Sequence, residues 1–273
     1  MLLVTGANGQ LGTELKARLP DALFADLPIL DITDEKAVRT FVEERGVDTI
    51  INCAAYTAVD KAEDDIAACY NVNVAGPMNL AKTGAKIIHL STDYVFDGTN
   101  FRPYNETDKP NPQSVYGQTK RDGETGVMDL ASSCVILRTA WLYSPYGSNF
   151  VKTMRRLGAE KESLNVVCDQ IGTPTCAEDL AAAIAALVPQ MKDGVREIYH
   201  YSNEGVASWY DLAHEIMRLS GLKCRVVPIP SDQYPAKAKR PFYSVLDKSK
   251  FKNTFGMTIP HWQESLEKCL KKF

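Results

Sequence analysis

The chain lacks most features of secreted, membrane-bound or nucleic-acid-binding proteins. Its seven cysteines are scattered and include no C-x-x-C pair, which predicts reduced thiols of a cytoplasmic protein rather than disulfides or a structural metal. The net charge is −3 with no basic block, so we expect no nucleic acid and no membrane surface as partner. Every apolar run is strand-sized, so no segment is expected to span a bilayer.

What the sequence does contain is the ordinary composition of a globular α/β protein. Of its 273 residues, 45% are hydrophobic and 24% are charged, which is enough to bury a sizeable core. Strand-like and helix-like segments alternate over the first half, which predicts a Rossmann-type doubly wound parallel sheet. The predicted strands lie near residues 2–5, 22–25, 47–52, 86–91 and 134–138, and the predicted helices near 10–19, 34–45, 60–82 and 113–130.

The pattern loosens after about residue 142, which predicts a smaller C-terminal lid that binds substrate. We expect the dinucleotide-binding domain to comprise residues 1–142 plus about 176–200. The substrate-binding domain is then about 143–175 plus 201–273. No flexible linker, repeat or low-complexity tract separates them, so the lid is interpreted as insertions into one fold.

Three glycines follow the first predicted strand in the stretch Gly6-Ala7-Asn8-Gly9-Gln10-Leu11-Gly12. Glycines between a strand and a helix permit a tight turn and let a pyrophosphate approach backbone N–H groups. The G-x-x-G-x-x-G spacing departs from the simplest dinucleotide fingerprint. The order of strand, glycines and helix still favours a nicotinamide dinucleotide, with Gln10 and Leu11 in the same turn.

Asp26 closes the second predicted strand, where a carboxylate can accept a hydrogen bond from the adenosine ribose. Leu27 follows, and no arginine or lysine is close in sequence, so NADH is favoured over NADPH; a solvated turn aspartate is the alternative. Further cofactor contacts are expected at the adenine and along the dinucleotide, from Asp31, Ile32, Ala54, Ala55 and Tyr56.

Tyr116 and Lys120 lie four residues apart in a predicted helix, so they share one face about 6 Å apart along the axis. We expect the lysine ammonium to lower the tyrosine pKa from its usual value near ~10 and so make the phenol a proton donor. The alternative is an exposed pair on a solvated face.

At this point the chain resembles a known family. The glycine turn, Thr92 and the Tyr116-x-x-x-Lys120 pair are similar to the extended short-chain dehydrogenases/reductases. Four longer strings resemble the dTDP-4-dehydrorhamnose reductase family within that class, and the similarity runs from residue 1 nearly to the C-terminus. They are NCAAYTAVDKAE (52–63), STDYVFDG (91–98), RTAWLY (138–143) and KRP (239–241).

The resemblance implies reduction of the carbon-4 ketone of dTDP-4-dehydro-L-rhamnose by NADH or NADPH. Tyr116 would give the proton, Thr92 would hydrogen-bond the same oxygen, and Lys120 would also hold the nicotinamide ribose. The substrate contacts that it implies are Thr92, Asp93, Trp141, Asn149 and Arg240. For Trp141 a core position remains open, and for Arg240 a solvated basic loop.

Other functions remain open beside this one. A second sugar-nucleotide epimerase or reductase of the same superfamily would share these motifs, and so would a non-catalytic regulatory subunit. A dehydratase is disfavoured because Tyr94, not glutamate, follows Asp93. Some members of the family dimerise through magnesium, and Glu14 and Glu178 match two such positions. Lysines near the C-terminus stand where a third carboxylate is needed, so no metal is expected, and the protein is expected to be a monomer or homodimer.

Overall fold

The computed structural model describes all residues of the chain, Met1–Phe273, and its largest feature is a six-stranded parallel sheet. The chain forms twelve strands: β1 (Leu2–Thr5), β2 (Leu23–Ala25), β3 (Thr49–Asn52), β4 (Lys86–Thr92), β5 (Cys134–Thr139), β6 (Leu142–Tyr143), β7 (Ser163–Val167), β8 (Ile171–Gly172), β9 (Thr175–Cys176), β10 (Arg196–His200), β11 (Ala207–Ser208) and β12 (Arg225–Ile229). The large sheet has the order β10-β5-β4-β3-β1-β2, and every neighbouring pair is parallel.

Helices connect these strands and cover the sheet. They are α1 (Gln10–Lys16), α2 (Glu35–Arg45), α3 (Val59–Ala62), α4 (Ile66–Tyr70), α5 (Gly76–Ala81), α6 (Val115–Leu130), α7 (Phe150–Glu160), α8 (Ala177–Leu187), α9 (Trp209–Leu219), α10 (Ser249–Phe255) and α11 (Trp262–Leu270). Capping side chains set several helix starts; for example, the Asp34 carboxylate accepts from the Ala37 amide at 3.0 Å. The predicted Rossmann-type fold is confirmed.

The alternating strand residues bury two separate cores, one on each face of the sheet. Leu3, Ile50 and Ile87 face the layer of α2, α5 and α6, while their neighbours Val4 and Ile51 face α1, α8 and α10. A sheet covered on both faces explains why these strands are continuous apolar runs rather than alternating ones.

Apart from the two-residue strands β6, β8, β9 and β11, which were not predicted, the structure differs from the sequence predictions mainly in three places. The region predicted as one helix over 60–82 is broken into α3, α4, a π-helical turn at Asn71–Ala75, and α5. Strand β12 was not predicted, since Pro228 interrupts its apolar run. Helix α10 was not predicted either, because Phe251 is its one buried residue and its other positions are mostly polar.

The C-terminal elements have a third core of their own. It joins α7, β7, α9 and α11 through residues such as Met154, Leu212 and Leu266. We propose the division into a dinucleotide-binding domain and a substrate-binding lid on this basis. Within residues 201–273, however, α10 packs Phe251 onto Tyr199 of the large sheet, with ring centroids 6.3 Å apart. None of the helices combines the length and apolar character that crossing a bilayer requires.

Candidate active site

The glycine turn brings three chain segments into very close contact. Gly6 has φ +68°, and a Cβ on it would lie 2.5 Å from the Ala54 amide nitrogen. A Cβ on Gly12 would lie 2.3 Å from the Gly6 carbonyl oxygen. Gly9 is the N-cap of α1 and offers no side-chain cap. The turn therefore requires glycine, and the contact of its backbone with a pyrophosphate remains a prediction.

Gln10 connects this turn to the lid. Its Oε1 accepts from Asn149 Nδ2 at 2.9 Å and from Ser144 Oγ at 3.1 Å, and its Nε2 donates to the Leu142 carbonyl at 3.4 Å. Leu11, beside it, is buried in the core with 5% exposure. The cofactor turn and the start of the lid are thus held by one side chain.

The other predicted cofactor residues lie outside this turn. Asp31 accepts from the Thr33 amide and hydroxyl at 2.8 and 2.7 Å, and the Ile32 side chain is buried in the core. The Tyr56 amide donates to Asn73 Oδ1 at 2.8 Å. Contacts of Asp31, Ile32, Ala54, Ala55 and Tyr56 with a dinucleotide remain predictions.

Asp26 lies beside the glycine turn with its carboxylate already engaged. Its Oδ2 accepts from the Asn8 amide at 3.1 Å and its Oδ1 from the Leu27 amide at 3.0 Å. No lysine is close to Asp26 along the chain, but one approaches the glycine turn from helix α1. Lys16, one helix away in sequence, places its Nζ 3.5 Å from Asn8 Oδ1, because α1 folds back over the turn.

Helix α6 carries the Tyr116–Lys120 pair against the sheet. Ser114 caps the helix by accepting from the Gly117 amide at 3.2 Å. A Cβ on Gly117 would lie 2.3 Å from the Tyr94 carbonyl, and one on Gly123 would lie 2.1 Å from the Asn73 carbonyl. Glycines therefore let the helix approach the backbone that surrounds the cleft.

The electrostatics of this pair differ from the prediction. Burial raises the pKa of the Tyr116 hydroxyl, and a hydrogen bond with Thr92 opposes the rise. Lys120 is 2% exposed, its Nζ donates to the Leu90 carbonyl at 2.5 Å, and burial lowers its pKa to about 8. The expected lowering of the tyrosine pKa by the ammonium was thus wrong, because loss of water outweighs the one lowering contribution, the hydrogen bond with Thr92.

Thr92 and Asp93 stand at the carboxyl end of β4. Thr92 Oγ1 donates to Asp93 Oδ1 at 3.0 Å and accepts from the Tyr94 amide at 3.2 Å. Asp93 is 1% exposed, its Oδ2 has no partner, and burial raises its pKa to about 6. An acid of this kind next to a phenol is typical of a functional cleft.

Trp141 faces the same cleft in a strained backbone conformation, with φ +48°. Its ring stacks on Trp209 with centroids 3.6 Å apart and an 8° angle between the planes. The sequence analysis missed Trp209, which lies 68 residues further along the chain (209 − 141) and carries no motif. It also missed Asn73, whose Nδ2 donates to the Tyr56 carbonyl and to Thr119 Oγ1 on α6, at 3.1 and 3.2 Å.

Asn149 and Arg240 are engaged within the protein. Asn149 caps α7 by accepting from the Lys152 amide at 3.1 Å, and its Nδ2 lies within hydrogen-bond distance of three acceptors. Its contact with a substrate remains a prediction. Arg240 Nη2 donates to Asp60 Oδ2 at 2.7 Å, and its buried Nε has no partner. The loop of Arg240 is thus tied to the 52–63 string rather than free in solvent.

A single cavity of about 620 Å³ gathers most of these groups at the carboxyl ends of the strands. The predicted site residues that line it are Gly6, Gly9, Gln10, Leu11, Gly12, Ala55, Thr92, Asp93, Tyr116, Lys120, Trp141, Asn149 and Arg240. Asp26, Asp31, Ile32, Ala54 and Tyr56 do not line it. The dinucleotide turn and the tyrosine helix therefore open onto the same space.

Two glutamates that resemble metal ligands lie elsewhere. Glu178 accepts from Lys272 Nζ at 2.6 Å and lies 3.5 Å from Arg18 Nη2. Glu14 is 6% exposed, and burial together with Glu178 raises its pKa. Cations of the chain itself thus neutralise this carboxylate pair.

A nucleotide-binding sheet whose tyrosine helix faces the same cleft is the architecture of the extended short-chain dehydrogenases/reductases, and this molecule is of that class. The model of the RmlD substrate binding domain matches residues 1–273. The dTDP-4-dehydrorhamnose reductase of Streptomyces griseus is 44% identical over 276 residues, covering 97% of this chain and 91% of that protein. The dTDP-4-keto-6-deoxy-D-glucose reductase of Streptomyces niveus is 42% identical over 274 residues, covering 97% and 94%.

A solved structure agrees over the whole chain. The dTDP-4-dehydrorhamnose reductase of Bacillus anthracis in complex with NADP is 40% identical and superposes with a TM-score of 0.95, covering 100% of this chain and 99% of that one. This chain belongs to the dTDP-4-dehydrorhamnose reductase family.

Proposed function

We propose that the protein is an NAD(P)H-dependent reductase that converts dTDP-4-dehydro-L-rhamnose to dTDP-L-rhamnose, the final step of dTDP-L-rhamnose biosynthesis. The observation that carries this proposal is the shared cavity: Tyr116, Lys120 and Thr92 line the same space as the glycine turn. Family membership supplies the substrate class.

The reaction needs one hydride on carbon 4 and one proton on its oxygen, and the reduced nicotinamide supplies the hydride. Tyr116 donates the proton. The phenol is protonated at neutral pH, and because burial raises its pKa it is a weak acid. It therefore gives up its proton only as the arriving hydride makes the carbon-4 oxygen strongly basic. Thr92 then stabilises the phenolate through its hydroxyl, and the Lys120 ammonium supplies positive charge at the floor of the cleft.

The substrate is held by groups on both sides of the cavity. Asp93 offers a carboxyl oxygen without an internal partner, and Trp141 presents a ring face fixed by stacking on Trp209. Arg240 lines the cavity with an unpartnered Nε, which suits one oxygen of a diphosphate, while Asp60 holds its Nη2.

Reduction fits this site better than dehydration. Elimination of water requires a carboxylic acid as well as a carboxylate beside the sugar. Here the residue after Asp93 is Tyr94, whose pKa burial raises to about 12. The second candidate is reduction of another dTDP-4-keto sugar, which the Streptomyces niveus relative favours by its name.

The choice between NADH and NADPH is made where the protein contacts the adenosine end of the cofactor. Asp26 favours a free ribose hydroxyl and hence NADH, as the sequence predicted. Lys16 counts against a strong preference, since its ammonium lies near Asn8 beside that carboxylate and could pair with a 2′-phosphate. We infer that the enzyme accepts both cofactors, acts in the cytoplasm, and works as a monomer or homodimer.

Replacing Tyr116 by phenylalanine tests the proposal. The variant is expected to lose turnover of the 4-keto sugar nucleotide while it binds the reduced cofactor with nearly wild-type affinity. The matched control is Tyr70→Phe, because Tyr70 is 49% exposed on α4 outside the cleft. Near-normal turnover by Tyr116→Phe would contradict the assignment of the proton donor. Tight cofactor binding without any turnover by the wild-type protein would instead favour a regulatory subunit.

A further inference from the structure

A buried ion pair lies beneath the cleft without lining it. Glu124 on α6 and Arg138 on β5 are 0% and 1% exposed. Arg138 Nε donates to Glu124 Oε1, and its Nη2 donates to Oε2, both at 2.7 Å. Arg121 Nη1 adds a third hydrogen bond at 3.1 Å. The carboxylate is therefore fixed in one orientation with both oxygens occupied.

The same carboxylate is one helical turn from Lys120. Tyr116, Lys120 and Glu124 recur every four residues, so they follow one another along one face of α6. A fully buried ammonium loses its hydration and requires a counter-charge to stay protonated. The position of Glu124 makes it the candidate for that counter-charge.

The other groups that face Lys120 include no second carboxylate. They are the Leu90 carbonyl and His89 on β4, Cys53 after β3, and Cys69 on α4. Burial raises the pKa of the Cys53 thiol to about 12 and lowers that of His89 well below its usual value, so both are neutral at neutral pH. Glu124 is the carboxylate that raises the pKa of Lys120 against the effect of burial.

The far side of Arg138 is closed as well. Its guanidinium lies over the Phe96 ring, 5.1 Å from the centroid, and its Nη1 is 3.5 Å from His200 Nε2. Burial, followed by the charge of Arg138, lowers the pKa of His200 to about 3. Since that imidazole is neutral, Glu124 is the one close anionic partner of Arg138. Separating the two side chains would leave a buried charge without a partner, which is strongly destabilising.

We propose that Glu124 is a positioning residue for the reaction: clamped by Arg138, its carboxylate holds the Lys120 ammonium charged and in place at the floor of the cleft. This inference rests on the proposed role of Lys120. A purely structural ion pair is the competing explanation, and it predicts no effect on the titration of Lys120.

The test is the titration of Lys120 followed by NMR of protein carrying isotope-labelled lysine, in wild type, Glu124→Gln and the double variant Glu124→Leu/Arg138→Met. The double variant replaces the pair by apolar side chains of similar size, an exchange that usually preserves the fold. We expect the midpoint to fall by about one pH unit or more in Glu124→Gln, since a nearby opposite charge has an effect of that size. At the wild-type midpoint the charged fraction would then fall roughly fivefold or more. In the double variant the midpoint should fall by less, because the Arg138 cation is removed as well.

The control is Glu215→Gln on α9, which breaks a similar pair with Arg218, 2.7 Å apart, away from the cleft. An unchanged Lys120 midpoint in the double variant would overturn the proposal. In the pH profile of turnover, the alkaline limb should shift together with the titration midpoint of Lys120. Because the titration needs no substrate, its failure is distinct from a failure of the reductase activity.

Discussion

Replacing Asp93 by asparagine is expected to stabilise the protein while it damages the active site. The fold raises the pKa of this carboxyl from 3.8 to about 6, chiefly through burial, against hydrogen bonds from Ser244 and Thr92. That difference corresponds to about 3 kcal/mol. It is the cost of holding a carboxylate in a position that is 1% exposed, with one oxygen unpartnered.

The protonation states of Asp93 decide in which direction the free energy of unfolding changes with pH. Below pH 3.8 the Asp93 carboxyl is protonated in the folded and the unfolded chain, so burying it takes nothing from the free energy of unfolding and that stability is fully present. As pH rises through about 6, the folded protein must ionise a buried group and that stability is lost. Asparagine does not ionise. The variant should therefore gain up to about 3 kcal/mol relative to wild type between acid and neutral pH.

Urea denaturation at about pH 4 and about pH 7.5 measures this difference directly. Asp97→Asn is the control with the opposite sign. Although burial opposes it, hydrogen bonds from Thr99, Asn111 and Tyr104 lower the pKa of Asp97 to about 2, so its loss should destabilise the protein at neutral pH. Turnover of Asp93→Asn should fall, a trade of activity for stability. Equal pH dependence in wild type and Asp93→Asn would refute the reasoning.

Three further changes test other parts of the site. Gly123→Ala should lower the free energy of unfolding, measured by thermal denaturation, by about 2–3 kcal/mol, since the new Cβ would lie 2.1 Å from the Asn73 carbonyl oxygen. Gly126→Ala is the milder control, because its Cβ would meet a flexible methionine side chain. Equal losses of stability in the two variants would contradict the predicted clash. Lys16→Gln should raise KM for NADPH and leave KM for NADH unchanged. An equal rise in KM for both cofactors would show that the Lys16 ammonium does not distinguish NADPH from NADH. Trp209→Ala should raise KM for the sugar nucleotide up to about tenfold by releasing the stack on Trp141, and a loss confined to cofactor affinity would count against that role.

Local sequence patterns predicted most of the sheet. The strands β1, β3, β4 and β5 are apolar runs between glycine, asparagine and aspartate signals, and helices such as α2 begin at recognisable caps. The π-helical turn at Asn71–Ala75 was beyond such reasoning. It exists because Asn73 turns inward to bond Tyr56 and Thr119, and these partners are distant in sequence.

The site was predictable in its composition but not in its electrostatics. Four-residue spacing put Tyr116 and Lys120 on one face, and the family resemblance put Thr92 beside them. The direction of the Tyr116 pKa depends instead on how much water the assembled cleft excludes. Trp209 escaped detection for a related reason, because only the folded lid brings it onto Trp141.

Burial, rather than pairwise attraction, sets the charge states throughout this cleft. It raises the pKa values of Tyr116 and Asp93 and lowers that of Lys120, so each group is driven toward its neutral form. For the phenol, burial means that the proton stays in place until the carbonyl oxygen beside it develops strongly basic negative charge. For the lysine it is a liability, because the ammonium is useful only while charged. A fold that desolvates both groups on one helix therefore requires a carboxylate on the side of the lysine away from the phenol, and Glu124 stands on that side of Lys120.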